Sequence, residues 1–241
     1  MSSRLHLLVQ IVFSFLGLYG LYFLRPFLSL EDTKPTDATE KSSLCPLILV
    51  HPALQNPAAW YFYQAAFRKA GYNEIHYFEY SCRERSLSAT AERLAAMVED
   101  VAKHASGAKP VLIGASLGGL VARASLCFLP DPERLGGLIT LACPHKGSRL
   151  AKLAPKGLFP LLHSIYHNSP AIRELEAKEA AAPVNIPKTA FFSPMDEVVR
   201  PASALHPPTN QVWREVETMP LSHMNIMLHT PTIKSLTTEL G

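Results

Sequence analysis

The sequence predicts a mainly parallel β-sheet with helices on both faces, preceded by one apolar N-terminal helix. Three observations carry this. Short, branched apolar runs alternate with segments of helical period; a Gly-x-Ser-x-Gly stretch joins one such run to an apolar helix; and about twenty uncharged residues open the chain. Alternating strands and helices bury a parallel sheet on both sides and leave the loops at the strands' carboxyl ends to carry function.

Composition narrows the class. With 241 residues, 48% hydrophobic and 18% charged, the chain can enclose a sizeable core, and its scattered 20 prolines and 12 glycines fit neither disorder nor a collagen repeat. A formal net charge of +3, with no basic run longer than Arg68-Lys69, argues against a nucleic-acid partner. Cys45, Cys82, Cys127 and Cys143 show no CxxC spacing, and the cysteine–histidine pattern does not read as a zinc site; no metal is expected.

The elements follow in order. Leu5 to Leu24 would rise about 30 Å as a helix, enough to cross a hydrocarbon core, whereas a cleaved signal peptide has a shorter apolar region and a small-x-small site that the residues from Arg25 to Glu31 do not offer. Residues 1–24 therefore read as a transmembrane anchor, residues 25–43 as a polar linker, and residues 44–241 as the domain that does chemistry. Arg4 on one flank and Arg25 and Lys34 on the other leave its orientation open. Within the domain, strands are expected at Leu44 to Val50, Glu74 to Tyr80, Pro110 to Gly114, Gly137 to Ala142, Thr189 to Phe192 and Gln211 to Glu217. Asn56 caps a helix opened by Pro57, Ser88 caps a second whose apolar face is Ala91, Leu94, Met97, Val98 and Val101, and Leu117 to Phe128 forms a third. An insertion over residues 146–186 breaks the alternation and reads as a helical lid. Its Lys146, Arg149, Lys152 and Lys156 lie among Leu150, Leu153 and Leu158; a solvated helix face is favoured over docking to an anionic membrane.

Gly114-Ala115-Ser116-Leu117-Gly118 sits where a nucleophile elbow requires it, after a strand and before a helix. A serine hydroxyl needs a base to take its proton and an acid to orient that base, and on this architecture the order is Ser, acid, His. Asp196 follows the strand ending at Phe192, with Glu197 as the alternative acid, and His223 follows the last strand. His163, His167, His206 and His229 read as surface or packing residues. The oxyanion donors are expected to be the backbone N–H groups of Leu117 and of Ala53, because Pro52 has none to give.

These residues resemble the α/β-hydrolase superfamily, in particular its bacterial lipases and the PGAP-like lipid deacylases. Val50-His51-Pro52-Ala53 is similar to the oxyanion segment and Gly114 to Gly119 to the nucleophile segment. Leu141-Ala142-Cys143-Pro144-His145-Lys146-Gly147-Ser148 resembles a strand end that many other hydrolases on this fold lack, and Asp196-Glu197-Val198-Val199 the acid loop. Pro52 departs from a glycine and Cys143 from a threonine, and no structural calcium site is identified. The resemblance implies an α/β-hydrolase fold, a long-chain acyl ester as substrate and the insertion as a mobile lid; together with the N-terminal span, the chain reads as a membrane-anchored, cofactor-free serine esterase or lipase. It assigns His145 a structural role. Acyl transfer, thioester cleavage, deacylation of a lipid-linked glycan, or a non-catalytic binding protein are the alternatives. The expected location is an inner membrane, single-pass, with the domain extracytoplasmic. On the strand order of these hydrolases, only Cys45 with Cys127 could form a disulfide.

Overall fold

A computed structural model describes residues 3–25, 44–105 and 108–240. Six strands, β1 (Leu47–Val50), β2 (Ile75–Phe78), β3 (Val111–Ala115), β4 (Gly137–Leu141), β5 (Lys188–Phe192) and β6 (Arg214–Glu217), form one sheet in the order β2-β1-β3-β4-β5-β6. Every adjacent pair is parallel, with Val50 beside both Phe78 and Gly114, and Ala115 beside Leu141.

The sheet is buried on both faces because β1 to β4 are apolar at every position except Thr140 of β4 and His76 and Tyr77 of β2, and side chains alternate between faces. Ile48, Val50, Leu112 and Leu138 join α3 (Leu87–His104) and α4 (Leu117–Ser125) in one core. Leu47, Leu49, Ile113 and Ile139 join α2 (Tyr61–Lys69) and α7 (Thr230–Glu239) in the other. Helix α2, which follows β1, and helix α4, which follows β3, thus lie on opposite faces, and that reversal opens a crevice above the carboxyl ends of β1 and β3.

Several expectations are adjusted. The last strand starts at Arg214 rather than Gln211 and is largely exposed. Ser86, not Ser88, caps α3: its backbone is extended and its Oγ accepts from the Ala89 N–H at 3.1 Å, while Ser88 already lies in the first turn. Asn56 does cap, its Oδ1 accepting from the Ala58 N–H at 2.9 Å, but the residues it opens, Pro57–Trp60, form a 3-10 turn before α2 begins. Met97 is only partly buried on the α3 face. All four cysteines are free. Cys45 packs into one core and Cys127 into the other, so the sheet separates the one pair considered for a disulfide.

The insertion contains α5 (Pro160–Ser164) and α6 (Pro170–Ala181), whose Leu161, Ile172 and Leu175 are buried in the α3–α4 core. Helix α1 (Ser3–Leu24) forms as its composition demands, and its Leu7–Leu24 stretch is long and apolar enough to cross a membrane. It does not stand clear of the domain, because Ser14 and Leu18 are buried against it. Apart from Arg25, the linker of residues 25–43 lies outside the described residues.

Candidate active site

The crevice is built first from glycines. A Cβ on Gly114 would lie 2.5 Å from the Gly118 carbonyl oxygen, and one on Gly118 would lie 2.4 Å from the carbonyl oxygens of Val50 and His51. Only hydrogen at these two positions lets α4 pass so close to β3 and β1. Between them Ser116 adopts φ 52° and ψ −123°, a left-handed conformation that costs of order 1–3 kcal/mol for a residue with a side chain. The strain is held by the Ser116 N–H, which donates to the Leu141 carbonyl at 2.7 Å, and by the Gly119 N–H, which donates to the Ser116 carbonyl at 2.9 Å. As a result the hydroxyl stands above the sheet, at the N-terminus of α4.

His223 and Asp196 arrive from two loops that are laced together. The Ser193 hydroxyl donates to the Leu221 carbonyl at 2.7 Å and accepts from the N–H groups of Leu221 at 2.8 Å and Met195 at 3.2 Å. His223 Nδ1 donates to Asp196 Oδ2 at 2.6 Å, which leaves Nε2 to accept the hydroxyl proton of Ser116 at 2.8 Å. Asp196 is 1% exposed, and its other oxygen accepts from the N–H groups of Val198 at 2.9 Å and Val199 at 2.8 Å.

Burial pushes the His223 pKa down, but the charge and hydrogen bond of Asp196, with the nearby Glu197 charge, outweigh it and leave the imidazole raised above its ordinary value. Burial likewise pushes the Asp196 carboxyl up, and His223 with the two backbone donors outweighs that, holding it below the usual carboxylate value. Glu197, the alternative acid, does not reach the ring. Its Oε2 accepts from the backbone N–H of His223 at 2.9 Å, so it holds the loop.

Ala53 and Leu117 line the same cavity as Ser116 and His223. The loop bearing Ala53 is tied down by His51, whose Nδ1 donates to the Pro52 carbonyl at 2.9 Å and whose ring stacks on Tyr80 with centroids 4.5 Å apart. The Tyr80 hydroxyl returns a bond to the His51 carbonyl at 2.9 Å. Burial pushes the His51 pKa down to about 4, so this support stays neutral across the physiological range. Most of the cavity wall is apolar: Leu150, Leu162 and Ile165 come from the insertion, and Leu18 and Tyr19 from α1. Gln55 is a polar member of the lining, and its buried Oε1 has no hydrogen-bond partner among the described residues.

The remaining histidines lie elsewhere. His145 is fully buried, 3.3 Å from Thr140 Oγ1 and edge-on to Trp213. His206 pairs with Glu215, His163 and His167 bond to backbone carbonyls of their own segment, and His229 caps α7. Two features escaped the sequence reading. Arg123, the sole charge in the α4 segment, forms a buried bidentate pair with Glu179 of α6. Gln10 of α1 bonds to the loop of His223. A lone charge in an apolar helix and a lone amide in an apolar span were the available signals.

Residues 47–232 match the model of the alpha/beta hydrolase family. The chain belongs to the alpha/beta hydrolase family. Solved structures of similar fold include the mature lipase BlEst2 of Bacillus licheniformis, with a TM-score of 0.67 and 16% identity over 85% of this chain and 96% of that one. Phospholipase PlaB of Legionella pneumophila gives a TM-score of 0.64 at 16% identity, over 81% of this chain and 59% of that one. Lipase B of Aspergillus fumigatus gives 0.62 at 18% identity, over 76% and 47%. Comparison by sequence with curated proteins finds no match. At such identities the likeness is one of fold.

Proposed function

We propose that this hydrolase cleaves carboxylic esters of lipids through an acyl-enzyme. The Ser116–His223–Asp196 relay, with contacts of 2.8 and 2.6 Å at the floor of an apolar cavity, carries the reading. Ser116 Oγ attacks the ester carbonyl carbon while His223 Nε2 takes its proton, and the tetrahedral oxyanion forms against the N–H groups of Leu117 and Ala53 at the positive end of α4. The oxyanion then collapses, the leaving alcohol takes the proton from His223, and the acyl group remains on Ser116. Water, activated by the same imidazole, releases the fatty acid. Asp196 orients the ring and stabilises its cation throughout. The reaction needs no cofactor and no metal.

The apolar lining supports a long acyl chain as the substrate's bound portion. Residues 1–24 would hold the hydrolase domain, residues 44–241, at an inner membrane on its extracytoplasmic side, with residues 146–186 as a cap over the cavity. The test uses the full chain in detergent micelles and p-nitrophenyl esters of four to sixteen carbons. Turnover with fluorophosphonate labelling of Ser116 is expected, and Ser116→Ala should lower kcat by about 10⁴-fold or more. A folded protein that neither labels nor turns over any of these esters would overturn the reading.

A further inference from the structure

We propose that α1 is a built-in part of the active site: its Gln10 positions the loop that carries His223, and its Leu18 and Tyr19 close one side of the acyl cavity. The inference rests on the ester-hydrolase reading above and adds to it a role for a segment that composition explains as an anchor alone.

Polar side chains in a span of lipid length are costly unless they meet protein, and Gln10 and Ser14 of α1 fall on one stripe. Gln10, Ser14, Gly17 and Leu18 share a helix face, and that face meets residues 220–228. Gln10 Oε1 accepts from the Ser222 N–H at 2.8 Å and from Asn225 Nδ2 at 3.2 Å, and its Nε2 donates to the Pro220 carbonyl at 3.3 Å. Ser14 Oγ lies 3.5 Å from Ser222 Oγ, and a Cβ on Gly17 would meet Leu228 at 3.2 Å. Farther along, Asn56 Nδ2 donates to the Tyr22 carbonyl at 3.3 Å and Arg25 pairs with Glu79.

The position of these bonds gives them their consequence. The backbone N–H of Ser222 is held by Gln10 and the next one, of His223, by Glu197. The 2.8 Å approach of Nε2 to Ser116 is therefore clamped from two elements, one of them α1. Beyond Gln10 by two turns, Leu18 and Tyr19 line the cavity with Ser116 and His223, so a long acyl chain touches α1 directly. The opposite face of the helix exposes Leu5, Leu8, Val12, Leu16 and Phe23, the surface a bilayer covers. Substrate chain and anchor then share one helix.

The experiment uses the full chain in detergent micelles. Gln10→Leu, which stays apolar enough for the span, should lower kcat on p-nitrophenyl butyrate by about tenfold at unchanged KM, the factor expected for one lost positioning contact. Gln10→Glu keeps an acceptor oxygen for the Ser222 N–H and should restore most of it. Tyr19→Ala should change the ratio of palmitate to butyrate kcat/KM at least about fivefold, the scale at which a pocket contact discriminates. A readout independent of turnover separates this inference from the hydrolase reading: in the Ser116→Ala background, Gln10→Leu should speed amide hydrogen exchange across residues 220–228. Unchanged exchange, parental kcat in Gln10→Leu, or an unmoved chain-length ratio in Tyr19→Ala would each overturn the role of α1. An inactive parent with the exchange effect intact would overturn only the hydrolysis.

Discussion

Replacing Arg123 by methionine removes a cation from a site that water does not reach. The Arg123 side chain is 0% and that of Glu179 7% exposed, and the two meet through Nε to Oε1 at 2.7 Å and Nη2 to Oε2 at 2.5 Å. The third nitrogen, Nη1, donates to the His145 carbonyl at 2.6 Å. Arg123→Met therefore strands a buried carboxylate and a buried carbonyl together, and breaking one side of such a pair costs about 3–5 kcal/mol. For a domain of this size each kcal/mol moves Tm by about 2–4 °C, so a fall of about 6–20 °C is expected. The paired replacement Arg123→Met with Glu179→Leu should recover most of the loss, since the attraction of a buried pair and the cost of desolvating it nearly offset. What stays lost is the donor to His145, about 1 kcal/mol. Urea unfolding followed by fluorescence of the buried Trp60 measures all three variants. The reasoning fails if Arg123→Met costs less than about 1 kcal/mol, or if the double variant is as unstable as the two single losses added, because either result means that the charges do not depend on each other.

Three further outcomes follow from the site. Because His223 must be neutral to accept the Ser116 proton and its pKa lies above the ordinary 6.5, kcat/KM should fall as pH drops through a midpoint above 6.5. Asp196→Asn removes the charge that raises it, so a pH–rate series should show the midpoint moving down and kcat falling by about 10⁴-fold, as for the same change in a serine-protease triad. Gly118→Ala would put a methyl 2.4 Å from two backbone oxygens of the loop leading to Ala53; a stability loss of about 1–3 kcal/mol and a kcat loss of at least about tenfold are expected from unfolding and steady-state assays, and parental values in both would show that the close approach is not required.

Much of this was legible along the chain because the local physics is strong. Branched apolar runs such as Leu47–Val50 and Val111–Ala115 mark buried parallel strands, and the glycines around Ser116 mark a turn that no other residue fits. The strand-end positions of Asp196 and His223 also follow from alternation, since strand ends on one side of a parallel sheet share an edge. Ser88 was misplaced as a cap because Ser86 and Ser88 carry the same side chain, and only the extended backbone at Ser86 distinguishes them. Glu197 and Asp196 were separable only in space, by which carboxylate meets the ring and which meets the backbone.

From residue order alone come the layered sheet, the elbow and the placement of Ser116, His223 and the Asp196–Glu197 pair at strand ends, because periodicity and backbone stereochemistry act within a few residues. The buried Arg123–Glu179 pair, 56 positions apart, and the grip of Gln10 on Ser222, 212 positions apart, belong to the tertiary structure. Whether a polar side chain is an expense or a joint depends on what lies opposite it, and for these residues folding alone supplies the partner.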